Sequence, residues 1–544
     1  MADDIRKRIA NIFPRRESVP AEADVSRYEK GIQYLVGGEV RTWHGRTAEA
    51  LSAVCISDGA GGVAQRPLGL EARLDKEAAL GALEAARQAW DHGRGRWPTM
   101  RVGDRVEALL AFAARMRAVR EETVRLLTWE IGKSRADSEK EFDRTLQYIA
   151  DTIEALKETD RAGARFSAND GVLAHIRRAP LGVVLCMGPF NYPLNETFTT
   201  LIPALAMGNT VVVKLPRFGA LCQAPLLACF AECFPPGVVN IVNGEGREVA
   251  GPIVESGTIA SLAFIGSSHT ANDLKRRHPM PNRLRCILGL DAKNPAIVLD
   301  DADLDLAVAE CVTGSLSFNG QRCTALKLLF VHRSVAEKFV GRLADAVDAL
   351  PFGMPWEKGV RITPLPSLDR VAKMKELVLD AQGLGAHVVN RWGGLSNATF
   401  HFPSVVYPVT PAMKLYSVEQ FGPVVPVAVF DNVQEVFEAI VASNYGQQAS
   451  VFGTDPRRIG PLIDALANQV CRVNLNAQCQ RGPDVYPFAG RKDSAEGTLS
   501  VSDALRCFSI RSMVAAPRTD GNTGLLREIV RERTSNFVNT DYLF

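Results

Sequence analysis

Long hydrophobic runs are missing from this chain. The best window, residues 181–190, is bounded by Pro180 and Pro193. It falls well short of the roughly 20 apolar residues a spanning helix needs, so no membrane partner is expected. An excess of charge of either sign is missing too: 63 Lys plus Arg face 61 Asp plus Glu, a formal net charge of +2. That balance argues against nucleic acid, whose footprint is a basic excess or stripe. The opening residues, Met1-Ala-Asp-Asp-Ile-Arg-Lys-Arg8, are charged with no apolar core behind them and do not read as a secretory signal. The 11 cysteines are an odd number in a chain without an export signal. Reduced thiols in a cytoplasmic setting are expected, not a disulfide framework. The closest pair, Cys229 and Cys233, has no second pair or His nearby and reads as small buried hydrophobes, so no metal is expected. No internal repeat or low-complexity tract is present.

What is there has an ordinary globular balance, 46% hydrophobic and 23% charged over 544 residues. That excludes a disordered, collagenous or coiled-coil chain and leaves length for two or three domains. Residues 1–50 read as mixed and loop-rich, with one amphipathic segment at 5–13. From 75 to 156 the apolar residues recur at helical spacing, at 78–90, 106–116, 123–131 and 142–156. Gly93, Gly95, Pro98 and Gly103 interrupt that block. After Arg177 the texture changes. Short β-rich runs at 182–187, 210–214, 238–242 and 262–265 alternate with helix-like stretches at 196–206, 220–233 and 249–255, which implies βαβ units and a parallel sheet. A second alternating block starts at 296–299 and 306–316. It continues through 328–332, 335–350, 388–389, 424–430, 433–442 and 449–452. Two α/β units with a boundary near 288 are expected. The tail is polar, with a helix at 523–532 and an aromatic finish, Tyr542–Phe544.

Five local patterns carry chemistry. Phe318-Asn-Gly-Gln-Arg-Cys323-Thr sets a cysteine after a turn and beside Arg322, whose guanidinium can favour the nucleophilic thiolate. Met187-Gly-Pro-Phe-Asn191-Tyr192-Pro193 follows a strand, where ligands of open α/β sheets bind, and the Asn amide could hold an oxyanion. Val211-Val-Val-Lys214-Leu-Pro-Arg217 puts two cations at another strand end. Phe264-Ile-Gly266-Ser267-Ser268 is a strand, a glycine turn and a helix start, and Glu419-Gln-Phe421-Gly-Pro423 sets a carboxylate before an extended segment. Taken singly, the cysteine pattern is weak because most single cysteines are packing residues, the asparagine pattern also reads as an ordinary turn, and the last three read more readily as packing or solvated surface.

Together, in this order and spacing, the five resemble the aldehyde dehydrogenase superfamily over roughly residues 75–515. The resemblance implies an α/β fold: a Rossmann-like cofactor domain, an α/β catalytic domain and a small β oligomerisation arm. We place the helical N-terminal part of the cofactor domain at 1–161, the arm at 162–179 and 503–516, the Rossmann-like part at 180–288, the catalytic domain at 289–502 and a tail at 517–544. The resemblance implies Cys323 as nucleophile, Asn191 with the Cys323 N–H as oxyanion hole, and a homodimer or homotetramer. It assigns Lys214 to a cofactor ribose and Ser267, with Gly244 and Gly266, to the cofactor's phosphate-side loops. It assigns Glu419, with Phe421, to the nicotinamide ribose. Within the superfamily the chain looks most like the non-phosphorylating NADP-dependent glyceraldehyde-3-phosphate dehydrogenases. The matches are Gly-Gln-Arg322-Cys-Thr-Ala, Pro-Phe-Asn-Tyr192-Pro, Gln480-Arg481-Gly482, Tyr486-Pro-Phe-Ala-Gly and Phe142-Asp-Arg144-Thr. That likeness implies a substrate phosphate held by Arg144, Tyr192, Arg322 and Arg481, a sensible donor set for a dianion. Arg217 stands where an acidic residue would suit NAD, so NADP is favoured over NAD.

One departure bears on mechanism. The family's general base is a Glu in Glu-Leu-Gly-Gly-Lys, and the aligned run here is Gly289-Leu-Asp291-Ala-Lys293. Three accounts follow. Asp291 takes over, sharing a strand face with position 289 if the stretch is extended; or Glu419 does; or the acyl acceptor is coenzyme A, as in acylating semialdehyde dehydrogenases, which also carry an Ala-Lys-Asn run like Ala292-Lys293-Asn294. Asp291 could instead pair with a cation such as Arg283 or Arg285. A non-catalytic member is disfavoured by the complete set Cys323, Asn191, Lys214 and Glu419. The expected function is NADP-linked oxidation of glyceraldehyde 3-phosphate to 3-phosphoglycerate; oxidation of another small aldehyde remains an alternative.

Overall fold

The computed structural model describes residues 2–541; the aromatic finish Tyr542–Phe544 lies outside the described residues. Parallel strands form the centre of the first sheet, in the spatial order Val239–Val242, Thr210–Lys214, Val183–Met187, Ser261–Ile265, Arg285–Gly289. The three in the middle are buried along their whole length. A strand covered on both faces needs an unbroken apolar run, and runs such as Val211-Val-Val supply it. Helix Asn195–Ala206 is likewise buried at every position. The strand order reverses at Val183–Met187, so a crevice opens at its carboxyl end.

The second sheet has seven strands. Its core is parallel: Ser404–Tyr407, Val424–Phe430, Leu326–His332, Asn294–Val298, Gln448–Phe452 and Arg472–Leu475, in that spatial order. Only four residues separate the end of Arg285–Gly289 from the start of Asn294–Val298. The chain therefore steps from the carboxyl edge of one sheet to the amino edge of the next. Cys323, Glu419 and Tyr445 all lie just before strands of the second sheet. The two edges form the walls of one cleft.

Several expected elements differ. Residues 11–32 are loops and turns as expected, but the chain then turns to strand: Gln33–Val36 joins the first sheet antiparallel through Leu35 opposite Ile241, and Thr47–Ser57 pairs with Val63–Ala72 in a long hairpin. The helical label given to 1–161 is corrected for that stretch. The expected helix at 220–233 is a short 3-10 turn and then Leu226–Cys233, because Pro225 has no N–H to donate to the Leu221 carbonyl. A three-stranded antiparallel sheet of Phe166–Asn169, Val172–Pro180 and Ser509–Pro517 occupies the region read as the arm. Residues 503–507, placed in the arm, belong to helix Val501–Cys507, and helix Arg135–Gly163 ends at Gly163. The short strand Ala495–Glu496 returns to the first sheet, so the stretch 289–502 is not confined to the second. Among the described residues, no helix is long and apolar enough to cross a membrane.

Candidate active site

A cavity of about 1150 Å³ fills the cleft between the two sheets. Its nucleophile wall is built on strained backbone. After helix Leu304–Leu316, Phe318, Asn319 and Gly320 have φ of 47°, 56° and 71°. A Cβ at Gly320 would lie 2.6 Å from the Gly422 carbonyl oxygen, so glycine is required there. Left-handed backbone at the two non-glycine positions costs on the order of 1–3 kcal/mol each. It persists because the surroundings over-determine it. Asn319 Nδ2 donates to Thr363 Oγ1 (3.1 Å), and Asn319 Oδ1 accepts the Thr363 N–H (3.0 Å). The Cys323 carbonyl accepts from Asn294 Nδ2 at 2.8 Å and from Lys327 Nζ at 3.3 Å, while Asn294 Oδ1 accepts the Gln448 N–H.

The Cys323 thiol faces this cavity. Burial pushes its pKa up, with Glu196 adding to the rise and Lys327 and Arg481 opposing it. The expectation that Arg322 activates the thiol is corrected. Its Nη2 turns away to the Gly314 carbonyl at 3.2 Å, and the cations acting on the sulfur are Lys327 and Arg481.

Asn191 reaches the same loop. Its Nδ2 donates to the Gln321 carbonyl at 2.8 Å, which leaves one amide N–H for an oxyanion. The Asn191 carbonyl accepts from Lys133 Nζ at 2.8 Å. Lys133 is fully buried and ion-paired with Glu141. Glu141 Oε1 in turn accepts the N–H groups of Leu194 (3.0 Å) and Asn195 (3.1 Å), at the start of helix Asn195–Ala206. The Lys133 ammonium also lies 3.6 Å from the Tyr192 ring centroid and 4.4 Å from that of Phe318. One buried pair thus braces both the Asn191 loop and the Cys323 loop. Sequence reading missed it; the available signal was a carboxylate, Glu141, on the core-facing side of a helix.

Glu419 is linked to the Cys323 loop through Lys327, which donates to the Cys323 carbonyl. It pairs with Lys327 and accepts the Ala292 N–H at 3.2 Å. Burial raises its pKa and Lys327 opposes the rise. Lys293 donates to the Val418 carbonyl (2.8 Å) and to Gln420 Oε1 (2.7 Å), pinning the residues on either side of Glu419. Asp291 does not pair with Arg283 or Arg285. Its Oδ2 accepts the N–H (2.7 Å) and O–H (2.9 Å) of Ser268, in the first turn of helix Ser268–Arg277. The strand ends at Gly289, two residues before Asp291, and both residues line the cavity.

The first sheet's edge carries Lys214, Arg217, Gly266 and Ser267 to the cavity, and Ser267 caps helix Ser268–Arg277 by accepting the Thr270 N–H. Phe421 lies 5.7 Å from Phe190, ring to ring. Burial, with help from Arg73, pushes the Lys214 pKa down to about 8, against Glu71. Gly244 is corrected. It does not line the cavity, which Gly246 does. Gly244 is required sterically, since at φ 147° a Cβ would stand 2.9 Å from the Leu74 carbonyl oxygen. In size, and in its lysine, arginine and hydroxyl donors, this half fits a phosphorylated dinucleotide.

Arg144, Tyr192, Arg322 and Arg481 gather in the other half. Two of the three arginines are already paired. Arg144 grips Asp484 with two hydrogen bonds of 2.7 and 2.6 Å. Arg481 pairs with Glu196 and lies 3.3 Å from Asp484. Glu196 and Asp484 were not anticipated from sequence. Three guanidiniums less two carboxylates leave one net positive charge, and Arg322 is the arginine of the three with no carboxylate in ion-pair range among the described residues.

The aldehyde dehydrogenase family model matches residues 63–514. An NADP-dependent glyceraldehyde-3-phosphate dehydrogenase from Streptococcus equinus is 34% identical over 433 residues, 78% of this chain and 87% of that protein. A chloroplastic betaine aldehyde dehydrogenase from Atriplex hortensis is 30% identical over 413 residues, 73% of this chain and 81% of that one. Among solved structures, an NADP-dependent glyceraldehyde-3-phosphate dehydrogenase from Bacillus halodurans complexed with NADP superposes with a TM-score of 0.79. It is 29% identical, and the match covers 90% of this chain and 100% of that one.

Proposed function

This chain belongs to the aldehyde dehydrogenase family, and from that premise we propose that it is an NADP-dependent enzyme oxidising glyceraldehyde 3-phosphate to 3-phosphoglycerate. The observation that carries the substrate is the gathering of Arg144, Arg322 and Arg481 with Tyr192 beside Cys323. The Cys323 sulfur attacks the aldehyde carbon, and the free Asn191 N–H and the Cys323 backbone N–H receive the oxyanion. Bound NADP supplies the hydride acceptor. Cys323 is left as a thioester, and the chain must then activate a water against it. Lys214 and Arg217 hold the adenosine end and Glu419 the nicotinamide ribose. The sheet of Phe166–Asn169, Val172–Pro180 and Ser509–Pro517 serves self-association, through exposed apolar side chains such as Ile510 and Met513. A steady-state assay with NADP and glyceraldehyde 3-phosphate, with and without coenzyme A, tests the whole reading. Stimulation by coenzyme A would replace it with the acylating reaction.

Deacylation is assigned to Asp291, whose Oδ1 accepts a proton from water while Oδ2 stays on Ser268. Asp291→Asn is expected to keep the first-turnover burst of NADPH and to depress the steady rate by about 10²–10⁴-fold, the usual worth of a placed base. Rapid-mixing absorbance measures both phases. An unchanged ratio of burst to steady rate would leave Glu419 as the base.

Arg322→Ala is the cleaner test of the phosphate contact, because Arg481→Ala would also strip buried Glu196 of its partner. Its KM for glyceraldehyde 3-phosphate should rise roughly ten- to a hundredfold, the value of a charge-assisted hydrogen bond, with little change for unphosphorylated glyceraldehyde. Equal rises for both would reject the phosphate site.

A pH effect follows from Lys214. Its ammonium form, which the cofactor needs, is present below its pKa of about 8 and lost above it. Calorimetric affinity for NADP should fall as pH rises from 7 to 9.5, and Lys214→Gln should flatten that slope. A slope that persists in the variant would assign the titration elsewhere.

A further inference from the structure

One guanidinium in the cavity has no task in the account above. Arg370 stands in the first turn of helix Leu368–Gly383, whose inner face packs in the second unit's core through Val371, Met374 and Leu377. It lines the cavity together with Lys214 and Arg217, which come from the first unit. Its Cζ lies 4.8 Å from the centroid of Phe190. Phe190 in turn meets Phe218 at 6.0 Å and Phe421 at 5.7 Å, both edge-on. This row of three rings runs from the neighbour of Arg217 to a position two residues after Glu419. Arg370 therefore sits over its middle. Burial lowers the Arg370 pKa, with Arg217 adding to the fall and Glu419 and Asp369 opposing it. Among the described residues it has no hydrogen-bond acceptor and no carboxylate in ion-pair range, so its five N–H donors are free for the cavity's contents.

A dinucleotide bridging Lys214 and Arg217 to Glu419 would place its diphosphate between those two ends, where the row of rings and Arg370 stand. The usual source of positive potential for a diphosphate is a helix start. Here the start of helix Ser268–Arg277 already holds an anion, since the Asp291 carboxylate accepts both the N–H and the O–H of Ser268. Counter-charge for the diphosphate must come from the facing wall. We propose that Arg370 binds the cofactor's diphosphate from the second unit and so clasps the two units across the bound nucleotide. This rests on the NADP reading above.

The diphosphate is common to NAD and NADP, whereas the 2′-phosphate is not, and the test uses that difference. Dissociation constants for NADP, NAD and adenosine 2′-monophosphate are measured by calorimetry on the wild type, Arg370→Gln, Arg370→Lys and Arg217→Glu. For Arg370→Gln we expect Kd to rise about ten- to a hundredfold for NADP and NAD alike, with adenosine 2′-monophosphate unchanged. Arg370→Lys should recover most of the affinity, and Arg217→Glu should weaken NADP and adenosine 2′-monophosphate but not NAD. Unchanged Kd values in Arg370→Gln with a lowered kcat would show that Arg370 acts on Glu419, and would overturn the proposal. A loss confined to NADP would overturn it too, by moving Arg370 to the 2′-phosphate. If the wild type binds neither dinucleotide, the cofactor reading fails and this proposal with it. Equal losses for NAD and NADP beside an Arg217→Glu variant without NADP selectivity would retain the diphosphate clasp and reject only the assignment of Arg217.

Discussion

Cys323→Ala should lower dehydrogenase turnover by about 10⁴-fold or more, the scale seen when a covalent nucleophile is removed, while NADP affinity stays within roughly twofold. The first half of that expectation follows from the chemistry, since among the described residues no other thiol lines the cavity and the acyl group has nowhere else to go. The second half follows from how the loop is held. Asn294 and Lys327 grip the Cys323 carbonyl, and Asn319 and Thr363 fix the preceding turn. None of these bonds uses the sulfur. The backbone should keep its course when the thiol is gone, and the cations for the nucleotide stand at the far edge of the cleft. Initial rates and calorimetry on the same preparation decide it. Residual turnover near wild type would mean that another group attacks. A large loss of NADP affinity would mean that the loop depends on the thiol after all.

The cofactor half of the site was legible because its physics is local. Parallel strands buried on both faces need continuous apolar runs, and the residues that follow them, Asn191, Lys214 and Ser267, sit next to those runs in sequence. The catalytic loop was legible for the same reason: Phe318-Asn-Gly is turn chemistry, and Cys323 follows it directly. Partners were not legible. Arg144 and Asp484 are 340 residues apart, Arg481 and Glu196 285, so a reading that counted guanidiniums could not subtract the carboxylates that neutralise them. Asp291 illustrates the same limit on a smaller scale, because one of its oxygens is held at a helix start 23 residues earlier. The hairpin Thr47–Ser57 and Val63–Ala72 escaped notice for a different reason. Its strands are rich in alanine, serine and glycine, weak β-formers, and only pairing makes them strands.

The buried pair Lys133–Glu141 is expected to join stability to catalysis, and a double variant can separate the two. In Lys133→Met the Glu141 carboxylate is left buried without its cation, a loss worth about 3–5 kcal/mol, moderated by the Leu194 and Asn195 N–H groups it still accepts. The Asn191 carbonyl also loses its ammonium donor, so the amide that should meet the oxyanion is no longer fixed from behind. Removing one donor from an oxyanion hole costs about 10²–10³-fold in kcat, and a misplaced donor should approach that. NADP affinity should hardly change, because neither residue faces the nucleotide half. Replacing both, as Lys133→Met with Glu141→Leu, removes the uncompensated charge, and a buried pair exchanged for apolar groups is often neutral. Thermal stability should then largely return while kcat stays low, since Asn191 still lacks its brace. Melting temperatures and kcat on the single and double variants make the comparison. Recovery of both in the double variant would reduce the pair to packing. Loss of stability without loss of kcat in Lys133→Met would show that Asn191 keeps its place by its bond to the Gln321 carbonyl alone.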